Sequence, residues 1–282
     1  MKPSNDFVNL PKDFWANIRS ISQKSGYTES NTRRIKIPSP EEIKKVFTDL
    51  NLTCRHLIDD NDDLTPQGKK IIDYFKYRAD ILNNYVEPRL MDADKAKKLI
   101  KDLKKQYKPK CPLPMNKQKG AKKAPAFFTG MINILVEAHS KGHDCDYSPR
   151  ELTTITRNGQ PLRTLARWVD GAFPRSVNPV AIWEIKEYYY TTTFGSRVAD
   201  GVYESLLDGM ELEELHEHEG IKVLHYLMVD SHYTWWVSGK SYLCRLIDIL
   251  HMGYVDEILF GHEVVEKLPE IVSEWVKLYG RK

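Results

Sequence analysis

Glu184 and Lys186 stand two residues apart in the stretch IWEIKEYYYTTTFGS, which spans residues 182–196. Alternate side chains of a β-strand share one face, so a strand here places the carboxylate and the ammonium on the same side. The same acid-x-lysine spacing occurs at Glu42–Lys44 and Asp102–Lys104, but both lie in helical patterns, where residues two apart diverge. The strand context therefore singles out Glu184 and Lys186 as a pair that can act on one ligand.

Asp170 supplies a second carboxylate to the same region. It precedes a glycine, and we expect it at the end of a short strand. The GAFPRSVNP segment that follows is rich in turn residues, which predicts a hairpin that brings Asp170 next to Glu184. Two adjacent carboxylates repel each other unless a cation lies between them. Mg²⁺ suits such a site, because it takes one or two carboxylates and completes its shell with water or phosphate. We expect Mg²⁺, with Mn²⁺ as a substitute.

These residue types predict hydrolysis of a phosphodiester bond. Asp170 and Glu184 would hold the metal, which polarises the scissile phosphate and activates a water molecule. Lys186 would orient that water or stabilise the charge that develops on phosphorus. The alternative is a surface hairpin with an incidental ion pair. The strand context, the nearby Asp170 and the helical pattern that follows favour the catalytic interpretation.

Asp170 and the Glu184-Ile185-Lys186 tripeptide, with helical patterns before and after, resemble the motif of the PD-(D/E)XK nuclease superfamily, and in particular type II restriction endonucleases. The resemblance covers roughly the C-terminal half of the chain, and Val169 stands where the name of the motif has proline. It implies a restriction-endonuclease-like α/β core with a central mixed sheet, Mg²⁺-dependent cleavage of double-stranded DNA and a homodimer.

The resemblance also implies an acidic residue on the helix that precedes the motif. Glu137 in NILVEAH is the best match and Glu151 is the runner-up. The equally open alternative for Glu137 is an exposed helix residue with no part in metal binding.

Several basic and polar residues are candidates for contacts with the nucleic-acid backbone. Ser196 is the expected cap of the helix after the motif, and Arg197 lies in its first turn, so both are expected to meet a phosphate. Between residues 95 and 123, lysines far outnumber the single acid. Four of them are predicted to follow phosphates without reading bases: Lys104, Lys105, Lys108 and Lys110. The alternative is a solvated helix face followed by a linker.

Helical and strand patterns divide the chain into three parts. Residues 1–110 are expected to be mostly helical and are a candidate DNA-recognition part, and residues 111–124 form a basic linker rich in Pro and Lys. Residues 125–282 alternate between helical and strand patterns, which predicts an α/β nuclease-like domain with a mixed sheet flanked by helices. Within it, IKVLHYLMVDSHYTWWV is expected to form one long strand or two.

Two local signals bear on the N-terminal part. Ser39 and Pro40 are typical of a helix start. The TCRHLI segment that follows this helix is expected to form a second short helix. The pair is interpreted as a plain helical hairpin in preference to a DNA-reading helix-turn-helix.

Composition narrows the class of protein. The net charge of +3 says little about partners, and the four cysteines lie far apart without a C-x-x-C pair, which argues against a zinc ribbon or a disulfide scaffold. The N-terminus lacks the apolar core of a signal peptide, and no run approaches the roughly 18 apolar residues of a membrane helix. We expect a soluble cytoplasmic protein that does not contact membranes. The absence of a P-loop, a dinucleotide fingerprint and a G-x-S-x-G motif disfavours the main nucleotide-binding and esterase classes.

Other functions stay open beside a sequence-specific restriction enzyme. One is a DNA-binding protein whose nuclease-like core no longer cuts, which the intact set of Asp170, Glu184 and Lys186 disfavours. Another is a repair or RNA nuclease that uses the same site. Sequence recognition by the N-terminal helices would favour restriction slightly.

Overall fold

The computed structural model describes residues 1–116, 120, 123–190 and 195–281, with the side chain of Ser196 excepted. The N-terminal region is helical, as the sequence predicts. It contains α1 (Lys12–Ser25), α2 (Pro40–Asp49) and α3 (Pro66–Asp80), and α3 continues through a π-helical segment, Ile81–Val86, into a 3₁₀ turn. Helix α4 (Ala93–Tyr107) follows.

The start of α2 is fixed by a capping box. The Ser39 hydroxyl accepts a hydrogen bond from the Glu42 N–H at 3.3 Å, and the Glu42 carboxylate accepts one from the Ser39 N–H at 3.1 Å. These bonds satisfy two helix-terminal donors reciprocally, and Pro40 fits the first turn because its missing N–H is not needed there. The predicted helix start is therefore confirmed.

The short helix predicted for TCRHLI is wrong. This segment forms turns, and the N–H groups of Leu57 and Ile58 both donate to the carbonyl of Cys54. Ile58 then bridges to Leu64 in an antiparallel contact, which a helix would not allow. The next helix, α3, begins only at Pro66, so α2 is not followed by a helix-turn-helix partner.

A four-stranded mixed sheet lies in the C-terminal part of the chain. Its strands are β3 (Gly171–Phe173), β4 (Ala181–Glu187), β5 (Leu224–Asp230) and β6 (Glu257–Phe260), in that spatial order. Strand β3 is antiparallel to β4, whereas β4, β5 and β6 are parallel. A separate hairpin consists of β1 (Thr154–Arg157) and β2 (Gln160–Thr164). The predicted mixed α/β architecture is confirmed.

Helices cover both faces of the sheet: the crossover helices that the parallel strands need lie on one face, and helices from before and after the sheet cover the other. Four helices take part: α5 (Phe127–His139), α6 (Ser196–Glu219), α7 (Lys240–His251) and α8 (Glu263–Tyr279). Trp183 of β4 and Met228 of β5 pack with α5 and α8, whereas Leu227 and Val229 of β5 pack with α6 and α7. Because side chains alternate, Glu184 and Lys186 share the face that lies toward α6.

Three local expectations need correction. The long apolar stretch forms one strand, β5, and then a π-helical segment, Tyr233–Ser238. Asp170 does not end a strand; it immediately precedes β3. Gly195 is the residue before α6, so Ser196 is its first helical residue and not its cap, and the side chain of Ser196 lies outside the described residues.

The N-terminal helices are joined to the sheet domain through a buried ion pair. Arg78 of α3 donates to both carboxylate oxygens of Asp248 on α7 at 3.0 Å, and the Tyr74 hydroxyl donates to the same group at 2.7 Å. The Arg78 guanidinium, which reaches both oxygens through Nη1, and the Tyr74 hydroxyl satisfy a carboxylate that is nearly inaccessible to water. Among the described residues, no helix has both the length and the apolar character to span a bilayer.

The β3–β4 hairpin depends on a glycine at residue 171. A Cβ at this position would overlap the indole ring of Trp183, which is fully buried and stacked on Trp275 of α8 with centroids 5.4 Å apart. We expect Gly171→Ala to lower the free energy of unfolding by about 1–3 kcal/mol, as overpacking of a tight core does. Chemical denaturation measures this. Gly280→Ala is the control, because its Cβ would lie at an ordinary 3.6 Å from the nearest atom. Equal effects at the two positions would contradict the close packing at β3.

Candidate active site

The β3–β4 hairpin brings Asp170 and Glu184 together. The antiparallel register pairs Gly171 with Trp183, so the residues that flank this pair are neighbours. The Asp170 N–H donates to Glu184 Oε1 at 3.2 Å, and the Ile185 N–H donates to Asp170 Oδ2 at 2.7 Å. The Glu184 carboxylate is therefore held by the backbone of the residue before β3, and the Asp170 carboxylate by the backbone of β4. The hairpin that the sequence predicts is present.

Lys186 lies on the same face of β4 as Glu184. Its Nζ is 3.0 Å from Glu184 Oε2, and both side chains are buried, with Glu184 at 0% and Lys186 at 4% exposure. Helix α6 approaches this pair closely at Gly201, where a Cβ would stand 3.2 Å from Lys186 Cδ. The strand context thus yields a buried ion pair beneath α6.

Three further charged residues complete the cluster, and none of them was predicted from the sequence. Arg167 Nη1 lies 2.5 Å from Asp208 Oδ2, and Arg167 Nη2 lies 3.0 Å from Glu184 Oε2 and 3.4 Å from Glu204 Oε2. Glu204 Oε2 also accepts from Lys186 Nζ at 2.8 Å. Glu204 and Asp208 are four residues apart on α6 and so share one face of the helix. The four-residue spacing of these two acids was the available sequence signal, but it points to the cluster only once the face of the sheet that α6 covers is known.

The charges in the cluster shift the pKa values of its members. Burial raises the pKa of Glu184, but Lys186 and Arg167 outweigh burial, so the net pKa is lowered and the carboxylate stays ionised. Burial lowers the pKa of Lys186, but the attraction of the carboxylates, Glu184 first, raises it overall and keeps the ammonium protonated. Burial, with the nearby charge of Glu184, raises the pKa of Asp208 to about 7.

Acidic groups outnumber basic ones in the cluster. Asp170, Glu184, Glu204 and Asp208 are arranged around two cations, Arg167 and Lys186. Asp208 Oδ1 is buried and has no hydrogen-bond partner among the described residues. A buried oxygen of this kind costs free energy unless a cation, a water molecule or a proton satisfies it.

The cluster does not include Glu137. This residue lies on α5, where its Oε2 accepts a hydrogen bond from the Lys110 N–H at 2.9 Å. Helix α5 meets β4 in its first turn, where the N–H and the hydroxyl of Thr129 both donate to Glu187 Oε2 at 2.9 Å. Glu137 is eight residues further along the helix, about 12 Å at 1.5 Å per residue.

Glu151, the runner-up, is exposed in the loop before β1. In the part of the chain that the structure describes, no group of three or more His, Cys, Asp or Glu side chains has the arrangement of a complete metal centre.

Arg197 lies near the end of β4. It is exposed in the first turn of α6, and its carbonyl accepts a hydrogen bond at 3.2 Å from the hydroxyl of Tyr188, the residue after β4. Trp168 is another exposed side chain close to the cluster in sequence: 58% of it is accessible, and it lies two residues before Asp170.

The predicted lysine contacts lie at the end of α4. Lys104 and Lys105 are in its last turn, Lys108 follows in a left-handed conformation, and Lys110 lies beyond it; all four are exposed. A groove of about 390 Å³ runs along this helix, lined by Lys97, Ile100, Lys101, Lys104, Lys105, Pro125 and Phe127. Helix α4 packs on α5, so the lysine groove and the end of β4 are connected through one helix.

Residues 91–275 match the family described as "Domain of unknown function (DUF7687)". The chain belongs to this family. Residues 1–85 match a second family, "Domain of unknown function (DUF7690)". The charged cluster around Glu184 (the acidic cluster) and the lysine-lined groove along α4 (the lysine groove) therefore both lie within the DUF7687 match. No curated protein and no solved structure matches the chain.

Arg167 neutralises two fully buried carboxylates, and its removal should destabilise the fold. We expect Arg167→Gln to lower the free energy of unfolding by about 3 kcal/mol at pH 8, near the lower end for breaking a buried pair because Arg167 itself is 23% exposed. The loss should be smaller at pH 5, because protons can then neutralise Asp208 and Glu184. Denaturant unfolding at both pH values measures it.

Arg163→Gln is the matched control for this change. Arg163 pairs with Glu214 of α6 at 2.5 Å, but that carboxylate is 52% exposed, so the pair is worth about 0–1 kcal/mol. A pH-independent loss at Arg167, or equal losses at the two arginines, would mean that Arg167 does not hold the buried charges.

Proposed function

We propose that the chain is a Mg²⁺-dependent endonuclease of the PD-(D/E)XK type that hydrolyses phosphodiester bonds of double-stranded DNA. The observation that carries the proposal is the reciprocal hydrogen bonding of Asp170 and Glu184 across the hairpin, with Lys186 on the same face as Glu184. Two carboxylates and an ammonium within a few ångströms are the groups that metal-assisted phosphodiester hydrolysis requires.

The side chains of the cluster fit Mg²⁺. They offer hard oxygen donors, and Mg²⁺ is held in proteins by one or two carboxylates with water and phosphate as its other ligands. Asp170 and Glu184 would hold it, and Asp208 Oδ1, which has no hydrogen-bond partner in the described part of the chain, adds a buried oxygen to the same cluster. When bound, the ion supplies a Lewis acid that polarises the phosphate.

Lys186 acts as a fixed positive charge. Its raised pKa keeps the ammonium protonated, so it does not accept a proton from water. It instead donates hydrogen bonds, and a phosphoryl oxygen that gains charge during the reaction is a stronger acceptor than the ground-state oxygen. Glu204 and Glu184 hold the ammonium at 2.8 and 3.0 Å, so little reorganisation is needed when the substrate binds.

The proposed DNA contacts are Arg197, beside the end of β4, and the lysines of α4. The groove along α4 includes Phe127 of α5, the helix whose first turn meets β4. These contacts would neutralise phosphates and carry no base information, so sequence recognition falls to other surfaces, including the N-terminal helices. Cutting both strands with one site per chain favours a homodimer. The proposal therefore extends to a sequence-specific restriction enzyme of the cytoplasm.

Cleavage of long unmethylated duplex DNA tests the proposal. We expect cleavage with Mg²⁺ and none with a chelator, and we expect discrete bands if the enzyme is sequence-specific. Asp170→Asn should lower the single-turnover rate by at least two orders of magnitude and leave DNA affinity equal or stronger, because negative charge near a phosphate is removed. Asp73→Asn, an exposed aspartate on α3, is the control and should cut like the wild type.

The other outcomes separate the alternatives. Cleavage of RNA but not DNA would identify an RNA nuclease with the same site. Binding without cleavage under all metal conditions would favour a DNA-binding protein. Cleavage at the wild-type rate by Asp170→Asn would show that the cluster is not the active site.

The lysines at the end of α4 should set the salt dependence of DNA binding. Replacing Lys104, Lys105, Lys108 and Lys110 together by Gln should weaken binding to specific and random duplexes alike. The slope of log affinity against log salt should also become shallower by up to about 3.6, because each of the four phosphate contacts contributes roughly 0.9. Fluorescence anisotropy at several salt concentrations measures both. The control replaces four exposed lysines elsewhere: Lys12, Lys45, Lys69 and Lys267. An equal change in slope for the two sets would show that the α4 surface makes no specific contribution.

A further inference from the structure

A second cavity lies on the other side of α6, between the two regions that match different families. Its volume is about 490 Å³, within the range of small-molecule sites. Arg19, Lys24 and Tyr27 line it from the N-terminal region, and Tyr203 and Arg245 line it from α6 and α7. Val202, Leu206 and Ile249 add an apolar lining. We call this cavity the interdomain cleft.

The charges of the interdomain cleft are positive. Arg19, Lys24 and Arg245 are its cations, and the one acidic side chain in its lining, Asp248, is buried and neutralised by its ion pair with Arg78. The side-chain contact that the structure gives Arg19 is a donation to the Met252 sulfur at 3.3 Å. An anion that enters the cleft thus meets positive groups without a competing free carboxylate in the lining.

Arg245 is held in place by aromatic side chains. Its Nε donates to the Tyr27 hydroxyl at 3.3 Å, and its Nη1 donates to the Tyr203 hydroxyl at 3.1 Å. The guanidinium carbon also lies 5.4 Å and 5.2 Å from the ring centroids of Tyr27 and Tyr242. A guanidinium has five N–H donors. With two of them bonded to tyrosine hydroxyls, Arg245 still has N–H groups that can bind a phosphate. Fixing the side chain in advance lowers the entropy cost of binding.

Tyr203 provides a flat apolar surface beside these cations. Its side chain is 54% exposed, although it lines a cavity and its hydroxyl is already bonded to Arg245. An aromatic ring can stack on such a face, and base–aromatic stacking is worth about 1–3 kcal/mol. A ligand with a phosphate and an aromatic base would use all three features: the cations, the stacking ring and the volume of the cleft.

We propose that the interdomain cleft binds a nucleotide, with the phosphate held by Arg245, Lys24 and Arg19 and the base stacked on Tyr203. The nucleotide is either free or part of a nucleic-acid strand. The inference does not rest on the proposed nuclease function, because none of the residues of the acidic cluster lines the cleft.

Calorimetry on the full chain in a chelating buffer tests the proposal. The probes are ATP, AMP, adenosine, inorganic phosphate and a single-stranded hexanucleotide. We expect AMP or ATP to bind at least tenfold more tightly than adenosine or inorganic phosphate. If only the hexanucleotide binds and the cleft variants abolish that binding, the source of the nucleotide is a strand and the proposal stands.

Two kinds of variant keep the test decisive. Arg19→Gln/Lys24→Gln changes exposed side chains of α1, so folding should be retained, and it should weaken nucleotide binding at least tenfold. Arg245→Gln should do the same, and Tyr203→Leu should remove the preference for AMP over inorganic phosphate. Arg55→Gln, at a residue whose side chain is 79% exposed and outside the cleft lining, is the control. Absence of binding by every probe at millimolar concentration, or binding that the double variant retains, would overturn the proposal.

Discussion

The burial of the Glu184 carboxylate is the constraint on which the centre of this structure depends. The side chain lies on a central strand at 0% exposure, where an isolated charge would be far too costly. Arg167 and Lys186 supply the compensating charge from two directions, and the Asp170 N–H supplies a further donor. Each of these partners imposes a local requirement in turn. The loop before β3 must return over the sheet to place Arg167, and α6 must lie close enough to cover Lys186.

A buried charge network of this size is weak evidence for stability. Replacing a buried ion pair by apolar residues of similar volume is often neutral or stabilising, so packing alone does not explain why Glu184, Lys186 and Asp208 occupy this site. The raised pKa of Asp208 and its unpartnered oxygen are costs that folding alone does not require. Perturbed pKa values of this kind concentrate at functional sites. A binding function for the cluster would account for these costs, and the nuclease proposal supplies one.

Local sequence signals were sufficient where the structure is decided by near neighbours. The capping box at Ser39 and the hairpin between Asp170 and Glu184 follow from spacings of a few residues and from turn chemistry. The same local signals failed where long-range packing decides the structure. TCRHLI has a plausible helical composition, but burial of Leu57 and the bridge from Ile58 to Leu64 favour a turn. Glu204 and Asp208 could be read as an exposed acidic pair on α6 until the helix is placed against β4.

The helix α6 is the element that relates the two sites. Neighbouring residues on a helix point about 100° apart, so Tyr203 lines the interdomain cleft while Glu204 contacts Lys186 and Arg167. Gly201 allows the helix to approach β4, and a larger residue there would contact Lys186. A shift or rotation of α6 would therefore change the surroundings of both Tyr203 and Glu204. If the proposed nucleotide shifted α6 on binding, it would also move Glu204 relative to Lys186, and coupling between the cleft and the cluster requires that α6 has two such positions.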